Sequence, residues 1–353
     1  VEFGLSEEQN LLARSVNGFL DNESSLDKVR GFAADGGDVW KGLCELGVAA
    51  LLIDESAGGL GLSMLDAAIV AEALGSHTAP APFISTAVML PLALKLAGGD
   101  HDALLAGLAS GATTAAAALA QATGARNGSG VTSTNTSLSG NTLYSLDFDT
   151  DVYLVADSNR RLFLVESDAA GLRRQNLATI DRTRSSGELK FDNTPAKLLS
   201  EDPAVLQGVL NAGRVMLAAD TLGAAQNMLD QAVEYARQRE QFNRPIASFQ
   251  AVKHMCAEMA AGLEPCRAMV WYAAHVLDTQ PEEATMTAAH TKAHVSEVGK
   301  FIAKTATEVH GGMGFTDLVG LHYWFKRIGF NRQLLGGPEG LREEAARAQN
   351  LVS

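Results

Sequence analysis

Two stretches in the last third of the chain gather arginines and glycines, residue types that can bear on ligand chemistry. The first is Arg237-Gln238-Arg239-Glu240-Gln241-Phe242-Asn243-Arg244-Pro245-Ile246, followed by Phe249-Gln250. A guanidinium offers a rigid fork of donors to phosphate oxygens. The second is His310-Gly311-Gly312-Met313-Gly314-Phe315-Thr316. Its glycines allow a closer backbone approach to a ligand than a Cβ would. Each has a plain alternative: a surface arginine beside a core phenylalanine, and a turn that ends a helix. Leu334-Leu335-Gly336-Gly337-Pro338 lies just downstream and holds no side chain able to take a proton. The nearest acid there is Glu339; Glu308 and Asp317 are more remote candidates.

These residues need a scaffold. The 353 residues are 46% apolar and 20% charged, enough for a large core divided between two or three domains. A formal charge of −13 argues against a nucleic-acid or anionic-membrane surface, though not against an anionic cofactor held by local arginines. Three dispersed cysteines, Cys44, Cys256 and Cys266, suggest a reduced compartment and do not resemble a metal cluster. The opening Val1-Glu2-Phe3-Gly4-Leu5 has no basic region leading into an apolar core. No apolar run reaches the ~20 residues of a membrane span, so a cytoplasmic protein is expected.

The pattern predicts an α+β protein: an N-terminal helical domain over 1–108, a small central β-barrel-like domain over 109–200, and a C-terminal four-helix bundle over 201–353. Ser6-Glu7-Glu8-Gln9 reads as a helix cap, with helices at 10–20, 39–47, 64–74 and 102–108, and one over 85–97 kinked at Pro91. Alanines at 111–120 favour helix in isolation. The 127–140 stretch is dense in turn residues, while 152–156, 162–165 and 187–191 read as strands. Beyond Asp202 an apolar stripe of Leu210, Leu217, Thr221, Ala224, Met228 and Ala232 marks a long buried helix, with others at 249–275, 282–308 and 341–349.

The arginine and glycine motifs, with Leu321-His322-Tyr323-Trp324-Phe325-Lys326-Arg327, resemble the acyl-CoA dehydrogenase family over 210–337, more weakly elsewhere. The resemblance implies FAD as cofactor, an acyl-CoA thioester as substrate and an electron-transfer acceptor. It places Arg239, Phe242, Gln250, Gly311, Gly312 and Gly314 at the cofactor, partly across a subunit interface. Glu308 stands where the family usually has glutamine. The middle domain lacks the family's Thr-Glu-Pro and Gly-Ser-Asp elements, reading Ala115-Ala116-Ala117-Ala118-Leu119-Ala120-Gln121 instead, and Tyr144 is a candidate to stack on the flavin ring.

The family's reaction needs a carboxylate to remove the proton α to the thioester. The two positions that supply it in the family correspond to Gly336 and Gly213, and both are glycine. Glu339 is the in-chain substitute. Missing side chains would also widen the pocket for a bulky, sterol-derived thioester. The resemblance therefore implies either a displaced base or a base-lacking subunit of a hetero-oligomer with a catalytic paralogue. A homo-oligomer and a purely structural or regulatory subunit remain as alternatives.

Overall fold

A computed structural model describes residues 4–31, 37–124 and 129–352. Val1-Glu2-Phe3 and the start of the 127–140 stretch lie outside them. The first helix, α1 (Glu7–Glu23), is capped reciprocally: Ser6 Oγ accepts from the Gln9 amide and Gln9 Oε1 from the Ser6 amide. α2 (Leu26–Gly31), α3 (Gly37–Glu45) and α4 (Met64–Ser76) follow. The run expected to kink at Pro91 begins as a π-helix, Ile84–Met89, and continues as α5 (Leu90–Ala97). The Leu90 amide reaches back to Ser85 O, a wider turn that accommodates the proline at the start of α5. α6 (Asp102–Ala109) closes the helical part.

The middle segment is a sandwich of two four-stranded sheets, not a closed barrel. One sheet joins β1 (Ala115–Ala118), β4 (Val152–Ala156), β5 (Leu162–Glu166) and β8 (Lys197–Ser200) in that order, with β1 parallel to β4. The other is antiparallel: β2 (Gly130–Ser133), β3 (Ser137–Thr142), β7 (Gly187–Pro195) and β6 (Leu172–Asn176). Among the described residues both sheets keep free ends, so the barrel-like middle segment is open and not closed. Alternation assigns the faces. Ala116, Tyr153, Val155 and Phe163 meet Val131, Leu138 and Phe191 of the second sheet, whereas Ala115, Ala117, Leu154 and Leu164 join the main core.

The alanines at 115–118 form a strand despite their helical preference. Each is buried, and the space between two packed faces selects small residues. α7 (Pro203–Gln238) is the spine of the molecule, and every residue from 209 to 225 is buried. A helix buried on all sides belongs in the interior, and the few polar groups on this stretch, among them Arg214 and Asp220, are paired there. Its contact with α4 is a backbone approach. A Cβ at Gly223 would lie 1.8 Å from Glu72 O, and one at Gly75 would lie 1.9 Å from Asp220 O.

α8 (Gln250–Thr279), α9 (Pro281–His310) and α10 (His322–Gln333) pack around α7, and α11 (Pro338–Ala348) rests on α9. α10 has no clear apolar period because its buried face carries Arg327 and Asn331 beside Trp324 and Ile328. Those polar groups meet Asp220 of α7. Arg327 Nη2 and Nε, Arg184 Nη2 and Asn331 Nδ2 all lie 2.6–2.9 Å from its carboxylate. Burial alone would raise the Asp220 carboxyl, but the two guanidinium groups hold it down at about 2. This ion cluster ties α7, α10 and the 181–184 loop of the middle segment together.

Candidate active site and cofactor surfaces

The α10–α11 connection and the end of β1 enclose a cavity of about 460 Å³. Ala117, Leu119 and Ala120 form one wall, Leu143 and Tyr144 a second, and Phe330, Leu334, Leu335 and Gly336 the third. The size suits a small-molecule site. Thr123, Tyr144 and Gln333 are its polar side chains, and no carboxylate, histidine or lysine is among the described lining residues.

The wall turns are conformationally unusual. Tyr144 and Leu335 have φ of +55° and +54°, a left-handed conformation found where surrounding structure enforces it, often at functional sites. Leu335 is enforced by Arg214, whose Nε donates to Leu335 O at 3.0 Å while its two Nη atoms grip Glu344 at 2.7 and 2.8 Å. Gly336, at φ +109°, gives its carbonyl to Lys292 Nζ at 2.9 Å.

The two glycines expected to mark a missing base occupy one neighbourhood. Gly336 lines the cavity, and Gly213 packs against Leu335, the adjacent residue. Gly213 leaves no hole. A Cβ on Gly213 would stand 2.6 Å from Leu335 Cδ1 and 2.9 Å from Met89 Sδ, and one on Gly336 would stand 3.3 Å from Leu341 Cδ2. The expected widening is therefore absent at Gly213, while the small side chains of Ala117 and Ala120 leave room along the first wall. Glu339 lies outside the lining. It is exposed, bonded to Arg332 Nη2 at 2.8 Å, and its carboxyl is lowered by its own helix-terminal amide and by Arg332. That makes it a weaker base than an ordinary glutamate.

The residues expected at the cofactor lie at the far end of α7. Arg239 follows its last turn, about 39 Å along the axis from Gly213 at the usual helical rise. Arg239, Phe242 and Gln250 are exposed around a hairpin of β9 (Glu240–Gln241) and β10 (Arg244–Pro245), and Phe242 is 86% exposed at φ +54°. Among the described residues Arg239 has no ion pair. The glycine motif reaches the same end, because Tyr235 of α7 stacks on His310 of α9 with ring centroids 4.6 Å apart. Gly311 and Gly312 are exposed, with open space where a Cβ would stand, whereas a Cβ on Gly314 would meet Thr307 O at 2.8 Å. Gly314 thus serves the packing of its own turn. Glu308 is exposed one turn earlier, and Asp317 pairs with Arg30 at 3.4 Å. The structure brings these residues into two separate groups, one at each end of α7.

Sequence reading passed over three buried groups. Lys292 shares an α9 face with Ala288, Ala289, Val295 and Ser296, and a lysine on such a stripe was the available signal. Asp147 carried none. It sits at φ +59° at the root of the Tyr144 turn, and burial pushes its carboxyl up to about 6 against the pull of Arg184. Asp220 is hidden among apolar neighbours on α7. Among the described residues no helix is long and apolar enough to cross a membrane, and no group of three His, Cys, Asp or Glu side chains could hold a metal.

Residues 6–112 match the family described as acyl-CoA dehydrogenase, N-terminal domain, and residues 204–349 its C-terminal domain. The chain belongs to the acyl-CoA dehydrogenase family. It is similar to the acyl-CoA dehydrogenase IpdE2 of Mycobacterium tuberculosis, 32% identical over 94% of each chain. Among solved structures it resembles a variant of the Tcur3481–Tcur3483 steroid ACAD, with TM-score 0.88 and 26% identity over 98% of each chain. It also shares the fold of the ChsE4–ChsE5 complex from Mycobacterium tuberculosis, with TM-score 0.90 and 24% identity over the whole of both chains.

Proposed function

We propose that this chain is the base-lacking subunit of a heteromeric FAD-dependent acyl-CoA dehydrogenase that desaturates a bulky, sterol-derived acyl-CoA at its α,β bond. The observation that carries the reading is the cavity at Gly336, whose described lining has no carboxylate, histidine or lysine to accept the α proton. A general base contributes about 10²–10⁴-fold. The similar steroid ACAD is named for two components, which supports a partner of the same family supplying that base.

FAD fits the residues in two places. Arg239, Phe242, Gln250 and the open backbone at Gly311 and Gly312 would hold its phosphates and adenosine, while the apolar walls and Tyr144 would receive its ring. When bound, FAD supplies the hydride acceptor. About 39 Å of α7 separates the two groups, so one chain's Arg239 end and its own Gly336 cavity do not serve the same cofactor molecule. Arg239 and Phe242 instead face outward, toward the cofactor of a second subunit. The walls of the Gly336 cavity exclude water and orient an apolar acyl group.

A cofactor-free structural or regulatory subunit is the second reading. It is favoured by β1, which brings only alanine side chains to the wall where the family carries polar elements. The absorbance spectrum of the purified chain separates the two. Bound flavin that bleaches with acyl-CoA only after a catalytic paralogue is added supports the first. Absence of flavin under all conditions, paralogue included, selects the second.

A further inference from the structure

Lys292 is 1% exposed, and its Nζ reaches two acceptors: Gly336 O at 2.9 Å and Arg332 O at 3.4 Å. No carboxylate pairs with it among the described residues. The charges acting on it are Arg214 of α7 and Arg332 of α10, both like-signed, and α8 contributes none. The acids nearby are already engaged, Glu344 of α11 with Arg214, and Glu297 of α9 and Glu339 of α11 with Arg332. An ammonium has three N–H donors and a neutral amine has two. Two carbonyls and two neighbouring guanidinium groups therefore match the amine, whereas an ammonium would hold a buried, unpaired charge.

We propose that Lys292 is a positioning residue, kept as a neutral amine, whose two N–H groups tie Gly336 O of the 335–337 turn to Arg332 O in the last turn of α10 and so hold that turn as a wall of the cavity, and that uptake of a proton loosens this turn. The direction agrees with the side chain's environment: burial, then Arg214 and Arg332, push the amine down to about 7. Opening the turn lets water reach the amine and returns it toward the ordinary lysine value of about 10.4. The open form therefore binds the proton more tightly. Opening grows about tenfold per pH unit as pH falls from about 10 to about 7, then levels off. The inference concerns the turn and not its ligand, so it stands or falls separately from the functional reading.

Hydrogen exchange of the amides at 334–341 in the full-length protein, corrected for the intrinsic pH dependence of exchange, tests it. Wild type should show that rise in opening between about pH 10 and about pH 7. Lys292→Gln, which keeps two N–H donors and cannot titrate, should remain protected with a flat profile. Lys292→Met, which lacks both donors, should be flat and less protected. Identical pH profiles in wild type and Lys292→Gln overturn the proposal, as does equal protection in the Gln and Met variants. Should the variants not fold, carbon NMR of the lysine side chains in wild type decides alone. One lysine titrating near neutrality supports the proposal, and all of them titrating near the ordinary value overturns it.

Discussion

Gly336 has φ +109°, and its carbonyl is held by Lys292, so a side chain at this position would need a different backbone path. The absence of a side chain at Gly336 is therefore set by the turn as well as by the residue type. Gly336→Glu should not give the chain a working base. Left-handed backbone strain of roughly 1–3 kcal/mol should lower its Tm, and acyl-CoA desaturation by the chain alone should stay at background. A gain of activity without loss of stability would contradict this. A second prediction concerns Asp147, whose carboxyl rises from 3.8 to about 6 on folding. The folded state binds the proton more tightly, so this group's contribution is complete below about pH 4 and is lost as pH rises through about 6. The loss is on the order of 3 kcal/mol for a shift of this size. Asp147→Asn should flatten that part of the stability–pH curve in urea titrations; an unchanged curve would show that Asp147 does not titrate there. The glycines themselves were readable from the sequence by resemblance. Their φ values and crowded surroundings were not, because these depend on Met89, Leu335 and Leu341 arriving from other elements.

At the scale of elements, the approach of α4 to α7 fixes the spine. Gly223→Ala would place a methyl 1.8 Å from Glu72 O, a backbone atom that cannot swing aside. The helices would have to separate, at a cost of about 1–3 kcal/mol or more, read as a lower denaturation midpoint. A midpoint equal to wild type would mean that α4 is free to shift. The long helices were legible because their stripes repeat every three or four residues, and β4 and β5 because they are continuous apolar runs. β2, β3 and β6 were not. Their sheet has one face in solvent, so β2 and β3 bury few apolar side chains, chiefly Val131 and Leu138, among polar residues, and β6 has none fully buried. β1 was misleading, since alanine's local preference gives way to tertiary packing. α10 was hidden because Arg327 and Asn331 share its inner face with Trp324 and Ile328 and break the apolar period.

Across the whole molecule, α7 separates two candidate sites: a cavity with no carboxylate, histidine or lysine among its described lining residues, and an exposed arginine–glycine surface. This division was only partly legible. The motifs identify both ends, but their separation follows from the length of one uninterrupted helix. It accounts for the proposal that catalysis is shared between chains, and it predicts that loss of the outward surface acts in the partner. Arg239→Ala should weaken flavin retention in the mixed complex while leaving the folding of this chain unchanged. Flavin content per complex measures this, and undiminished content would argue against the assigned role. The most direct test of the central claim is anaerobic titration of the flavin absorbance with a sterol-derived acyl-CoA, first with this chain alone and then with the catalytic paralogue. The account predicts no bleaching by the chain alone and bleaching by the mixture; full bleaching by the chain alone would contradict it.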